Sequence, residues 1–380
     1  MSVPAAHSAA IGRNSPRRRC GALQAALIVL VAFIGLAEGC GDRSEGTGGG
    51  SGEPIRASTV LGSLGDVPGK FAYPRCLEAD PLRNTLWVID KAARVQEIDP
   101  TTGACLSIWR TPEFSLGKPV GFCIAPGRGT DGEWRRDLLW VADTHYNRVL
   151  VYQPPAHDPK TPAARIEEPG ALVLQFGSYG DGPGQFYLPT DVAVLTSDDG
   201  RRIERIYVSE YGGNDRISIF DADLKWVSSF GNEGTGEDPT KIEFSRPQSM
   251  VFRTTREGGK ELVVADACNH RIGRFTLDGQ LIGWIGSRAT ASTRALGSFN
   301  YPYGLWPLPD GTVLVSEFGN CRVQRVDLDA GTGVQAWGRP GRNDGELAAP
   351  WAVTTLGTNM YILDSSNNRI MGLPMPAMRF

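Results

Sequence analysis

Glu261-Leu262-Val263-Val264-Ala265-Asp266, then Ala267-Cys268-Asn269-His270, then Arg271-Ile272-Gly273-Arg274-Phe275-Thr276, is the stretch that decides the fold. An apolar run ends in an acid. A short polar loop follows, and then an arginine opens a segment that alternates apolar and polar side chains. Alternation of period two is the mark of a strand with one buried face. Leu277-Asp278-Gly279 reads as a hairpin turn through its Asp-Gly pair, and Gln280-Leu281-Ile282-Gly283-Trp284-Ile285-Gly286 as a further strand. Upstream, Pro247 precedes a short apolar run, Gln248-Ser249-Met250-Val251-Phe252. The whole predicts four antiparallel strands.

The pattern recurs. An apolar residue stands three before a proline at Phe71…Pro74, Leu116…Pro119, Phe186…Pro189, Phe244…Pro247, Phe299…Pro302 and Leu347…Pro350. The acid–loop–arginine marker begins at Asp90…Arg94, Asp143…Arg148, Glu210…Arg216, Asp266…Arg271, Glu317…Arg322 and Asp364…Arg369. The two markers alternate without a break, which identifies a repeat architecture. Four antiparallel strands per unit, with no helical period between units, make a propeller blade. The fold class is therefore all-β, a six-bladed β-propeller. Fourth strands ending in glycine are expected after the markers of units one to five. The sixth unit runs out at Ile370-Met371-Gly372-Leu373-Pro374, after its third strand. The N-terminal segment Ser58 to Gly65 supplies the missing strand, so it is expected to close the last blade.

Composition agrees. The chain has 380 residues, 41% hydrophobic and 21% charged, with 47 glycines and 26 prolines, as many turns between short strands require. A formal net charge of -3 argues against a basic nucleic-acid surface, so no nucleic acid is expected as a partner.

Residues 1–39 read as a secretory signal. Arg17, Arg18 and Arg19 precede an apolar stretch from Ala22 to Ala37. Leu36-Ala37-Glu38-Gly39-Cys40 resembles a bacterial lipobox, which implies a lipid anchor on Cys40, although Glu38 and the place of Leu36 depart from the pattern. Residues 40–54 are rich in Gly, Ser and acids and read as a flexible tether. Residues 55–374 form the propeller and 375–380 a tail. The expected localisation is exported, in the cell envelope, as a membrane-anchored lipoprotein. Without Cys20 and Cys40, five cysteines remain, with no C-x-x-C spacing and no connectivity legible from sequence.

The repeat resembles the NHL type. The resemblance rests on Tyr207-Val208-Ser209-Glu210 with Asn214-Asp215-Arg216-Ile217, on 264–272, on 315–323, and on Phe-Gly-x-x-Gly at Phe176 and Phe230. It covers roughly residues 55–374, with a degenerate first unit. It implies the fold and leaves function open, because one scaffold hosts hydrolases, lyases and binding modules.

Groups repeated in every blade are expected to be scaffold, each arginine bonding the neighbouring acid or loop carbonyls. Zinc chemistry, which one NHL-type lyase uses, needs several imidazoles. Here only His145 and His270 lie in repeat loops, and Gln248 stands where that lyase has a His after the blade proline. No G-x-S-x-G elbow occurs. No catalytic residue and no cofactor is assigned. A weaker alternative is a hydrolase or lyase with a Ca or Mg ion in the channel near Asp191, Glu210 or Glu317. Asp191 is the one acid two places after a blade proline; its equivalents are Cys76, Gly121, Ser249, Gly304 and Ala352.

The leading expectation is a binding or scaffold propeller for a protein, peptide or glycan. Both markers lie on one face. Its loops carry Tyr146, Tyr187, Tyr211, His270, Tyr301, Tyr303, Phe318 and Trp351 as candidate binding residues. Tyr303 and Trp351 are expected to be exposed aromatics near the channel mouth. The insertions Pro126 to Asp137, Ser197 to Glu204, Thr254 to Lys260 and Pro154 to Gly170 belong to the opposite face.

Overall fold

The computed structural model describes residues 57–156, 169–288 and 294–375. The signal, the whole tether with Cys40, the core of the 154–170 insertion, residues 289–293 and the last five residues lie outside the described residues. Among the described residues no helix is long and apolar enough to cross a membrane.

Six four-stranded antiparallel sheets follow one another along the chain. Blade four illustrates the unit: Pro247–Thr254, Lys260–Asp266, Arg271–Phe275 and Leu281–Gly286, paired in that order. The first strands of the other blades are Pro74–Asp80, Gly121–Arg128, Pro189–Thr196, Pro302–Pro307 and Pro350–Leu356. Each neighbours the next around the ring, and the last neighbours the first. Closure is as expected: Thr59–Leu61 pairs antiparallel with Arg369–Pro374 and completes blade six. No blade is left with a free edge at the seam.

The core is divided. Six apolar clusters lie between successive blades, such as Ile217, Phe244, Leu262 and Phe275 between blades three and four. Between blades one and two, Trp87, Trp109, Phe122 and Leu139 do the same. Alternation along each strand sends one face to each neighbour, so both faces are buried and most strand positions read as apolar.

The acid–arginine markers are latches. Arg94 pairs with Asp90, Arg148 with Asp143, Arg216 with Glu210, Arg271 with Asp266, Arg322 with Glu317 and Arg369 with Asp364, at 2.5 to 2.9 Å. In five blades the latch carboxylate also accepts the backbone N–H two residues before the blade proline, from Ala72, Tyr187, Ser245, Asn300 and Ala348, on its second oxygen in all but blade one, where Ala72 and Arg94 share Asp90 Oδ2. The arginine also donates to carbonyls of the incoming connection, as Arg271 does to Gly236 and Glu243. The latch thus ties strands two and three to the chain segment entering the blade. Asn269, Asn320 and Asn367, expected to serve turn backbones, also donate to the latch acids.

A second tie crosses between blades. The residue before the latch arginine accepts the N–H of the residue before the next blade's proline: Asn147 from Leu188, Asp215 from Arg246, His270 from Tyr301 and Asn368 from Tyr73.

Blade two departs from the pattern. In five blades the apolar marker is buried: Phe71, Phe186, Phe244 and Phe299 are fully so, and Leu347 nearly so. Each packs on a glycine of positive φ that ends the preceding blade: Gly62, Gly177, Gly231, Gly286 and Gly338. A side chain at those glycines meets the ring, so the pair is one packing device. Blade one ends at Arg110-Thr111 instead of the expected glycine, and Leu116 is 72% exposed. Leu116 satisfies the sequence pattern without the partner that buries it. The second oxygen of Asp143 correspondingly has no hydrogen-bond partner. The Pro126 to Asp137 insertion is also more ordered than a loop, since Gly121–Arg128 and Trp134–Asp143 extend the hairpin through most of it.

Candidate functional site

The first strands converge on the central channel and bring the residues beside the blade prolines together. Arg75, Gln248, Tyr303 and Trp351, each directly after its proline, line it above Cys76, Asp191 and Ser249. Arg246, directly before Pro247, reaches the same place.

Three rings form the floor of the mouth. Tyr303 and Trp351 stand 4.7 Å apart edge to face, Tyr303 and Phe318 4.9 Å, and Phe318 and Trp351 5.8 Å. Two guanidiniums lie over them. Arg75 Cζ is 4.2 Å from the centre of the Trp351 ring. Arg246 Cζ is 5.1 Å from Tyr211, 5.2 Å from Tyr303 and 5.9 Å from Trp351. Such cation–ring contacts are strongest where water is excluded.

This arrangement corrects one expectation. Tyr303 is 2% exposed and Trp351 9%, so they are not exposed aromatics. They pack on each other and on Phe318, and the two arginines cover their faces. The mouth presents guanidinium planes and ring edges.

The other candidates are spread. Tyr211 belongs to the mouth through Arg246. Tyr146 stacks under Arg148 and its hydroxyl accepts the Leu116 N–H, at the irregular blade-two entrance. Tyr187 pairs with the exposed Tyr179 ring at 4.9 Å, on another part of the face. Tyr301 packs against His270 at 4.5 Å, and His270 Nδ1 accepts the Tyr301 N–H at 3.1 Å. Burial, aided by Arg288, lowers His270 to about 4, so it is neutral and structural at neutral pH.

The acids of the alternative reading do not converge. Glu210 and Glu317 are spent in their latches with Arg216 and Arg322. Asp191 faces the channel, where its carboxylate accepts the Met250 N–H at 2.8 Å. Burial raises Asp191 to about 7. Glu78, four residues after Pro74, lines the same channel, and burial together with the charge of Asp191 raises it well above the usual range. Burial likewise raises the thiols of Cys76 and Cys123 there. Cys76, Cys105, Cys123 and Cys268 are free thiols. Among the described residues no group of three or more His, Cys, Asp or Glu side chains is arranged to hold a metal ion.

Sequence reading misses Arg75, Arg246 and Glu78. It weighs aromatics beside the prolines and acids at one register position only. The signal for the arginines is present, since each flanks a blade proline on one side or the other. Their convergence on Trp351 is not written in either segment.

No family model matches the chain. It is 30% identical over 183 residues to peptidylglycine alpha-amidating monooxygenase of Rattus norvegicus, a match covering 48% of this chain and 16% of that protein. It is 28% identical over 163 residues to NHL repeat-containing protein 3 of Homo sapiens, covering 42% of this chain and 41% of that protein. The matches thus span less than half of either relative's length. A structural genomics protein of unknown function from Bacteroides thetaiotaomicron superposes with a TM-score of 0.51 at 15% identity, over 84% of this chain and 73% of that one. Repeat, ring and likenesses agree on an NHL-type six-bladed propeller.

Proposed function

We propose that this NHL-type propeller is a binding scaffold of the cell envelope, held to the membrane through Cys40, whose protein, peptide or glycan ligand docks at the channel mouth on the loop face. The observation that carries the reading is an imbalance of charge. The repeat arginines are consumed by latch acids. Arg75 and Arg246 lie over an aromatic floor and, among the described residues, form no ion pair. A guanidinium held half-buried over rings without a carboxylate partner keeps donors open for a ligand. Aromatic side chains beside arginine are also the residues that most often dominate binding energy at recognition sites.

The test is capture by the purified chain of peptides and oligosaccharides, followed by calorimetry. Trp351→Leu is expected to abolish capture, whereas Tyr187→Ala, away from the mouth, is expected to leave it unchanged. Equal loss from both variants, or from neither, overturns the mouth as the docking site. The anchor is tested separately: Cys40→Ser is expected to move the chain from the membrane to the soluble fraction, and unchanged fractionation rejects the lipid.

One observation favours a second reading, a hydrolase or lyase. Burial holds Asp191 near 7, where a carboxyl exchanges protons at neutral pH, and Glu78 shares the channel. Turnover that is lost in Asp191→Asn, with or without a stoichiometric Ca or Mg ion, supports this reading and replaces the first.

A further inference from the structure

We propose that the channel mouth binds a carboxylate group, gripped by Arg75 and Arg246, whose guanidiniums lie over Trp351 and Tyr303. The inference rests on the mouth being a docking site and names the group that docks.

The first support is the state of the donors. Arg75 Nε is buried and has no hydrogen-bond partner, and the same holds for Trp351 Nε1. Arg246 donates its Nε to the side-chain oxygen of Gln248, a neutral group, at 2.8 Å. Buried donors are nearly always satisfied, so the open Nε of Arg75 is a charged donor that an acceptor from outside can complete.

The second support is the surrounding charge. Both guanidiniums lie within 6 Å of the centre of one ring, so they repel each other. Burial and the charge of Arg246 lower Arg75 to about 10. Lys91 and Lys118 add to the positive field there. The acid beside Arg246 is already committed: the Asp215 carboxylate accepts the backbone N–H of Arg246 and that of Gly213. Deeper in the channel, burial keeps the carboxyls of Glu78 and Asp191 protonated to higher pH, which weakens any negative charge they offer. A chain of net charge -3 therefore holds a focused positive site at this one mouth.

The third support is shape. The guanidinium fork matches the two oxygens of a carboxylate. The channel below the rings holds a cavity of about 40 Å³, room for roughly three waters, given that each needs about 10–15 Å³. That suits a small planar carboxylate head.

The test is titration of the full chain, read by tryptophan fluorescence and calorimetry, with benzoate, benzamide, inorganic phosphate, and one short peptide carrying either a free or an amidated C-terminus. Saturable binding of benzoate and the free-acid peptide is expected, with benzamide and the amidated peptide weaker by at least about tenfold, since a charge-assisted pair is lost. Arg75→Gln is expected to remove the acid preference. Arg75→Lys is expected to restore part of it, and guards against a folding defect. A free-acid peptide binding about tenfold or more tighter than benzoate identifies a chain end as the source; equal affinities identify a free organic acid. Phosphate binding more tightly than benzoate overturns the proposal. Equal binding of acid and amide, abolished by Trp351→Leu, overturns the carboxylate and leaves the docking site standing. No saturable binding of any probe overturns the carboxylate as well.

Discussion

In the repeat latches, each arginine meets a carboxylate of its own hairpin; at the channel mouth, Arg75 and Arg246 meet none among the described residues. Both sets touch aromatic rings, as Arg271 does with Trp284 at 3.5 Å and Arg75 with Trp351 at 4.2 Å. The difference lies in what completes them. A latch is closed by residues four to six positions apart in sequence, so its geometry is the same wherever the hairpin recurs. The mouth is assembled once, from blades one, three, four, five and six. A charge that the chain itself balances is scaffold; the charge that it leaves unbalanced at one place is the proposed docking point.

Removing a latch arginine is the harshest way to break this comparison. Arg271→Ala leaves Asp266 buried without its ion pair, and a loss of about 3–5 kcal/mol in unfolding free energy is expected from urea titration. A loss below about 1 kcal/mol removes the scaffold assignment. The channel carboxyl comes next. Burial lifts Asp191 from 3.8 to about 7 in the folded chain, so its contribution is full below pH 4 and is lost as pH rises through 7. Asp191→Asn removes that penalty. The variant is expected to be more stable than the parent above pH 7, on the order of 4 kcal/mol, with the gap closing below pH 4. A gap of opposite slope across thermal melts at several pH values refutes the assignment.

The irregular blade sharpens the comparison from inside the repeat. Asp143 lacks the backbone donor that the other latch acids have, and burial raises it to about 6. Removing Arg148 leaves buried Asp143 with no donor, whereas Asp266 keeps the Ser245 N–H and the Asn269 amide, so Arg148→Ala is expected to cost about 1–2 kcal/mol more than Arg271→Ala by the same urea titration. Equal losses mean that the backbone tie contributes nothing. The smallest effect is at the mouth. Arg75→Met removes an unpaired charge and keeps an apolar stem, so the melting temperature is expected to stay within a degree or two (a change under about 0.5 kcal/mol) while ligand capture is lost.

The fold was legible because the same local physics recurs six times. The acid, the loop and the arginine sit in one hairpin, and the missing sixth strand shows at the other end of the chain. Thr59–Leu61 pairs with Arg369–Pro374 as that pattern requires. The misreading at Leu116 has a physical source. A leucine three before a proline matches the pattern, but burial needs a glycine at the end of the preceding blade, and Thr111 stands there. Among the candidate site residues, Tyr211, Tyr303, Phe318 and Trp351 do meet at the mouth. Tyr146, Tyr187, His270 and Tyr301 lie elsewhere on the loop face, with His270 and Tyr301 in the tie between blades four and five.

By itself the sequence determined the repeat, its six members, the ring closure and the partner of each latch arginine, because those interactions join residues close in the chain or recurring at one register. Only the tertiary structure decided that Tyr303 and Trp351 are covered and that Arg75 and Arg246 cover them. It also decided that Glu78 faces the channel with Asp191. These neighbours belong to different blades, up to 276 residues apart in the case of Arg75 and Trp351 (351 less 75), and only closing the ring places them side by side.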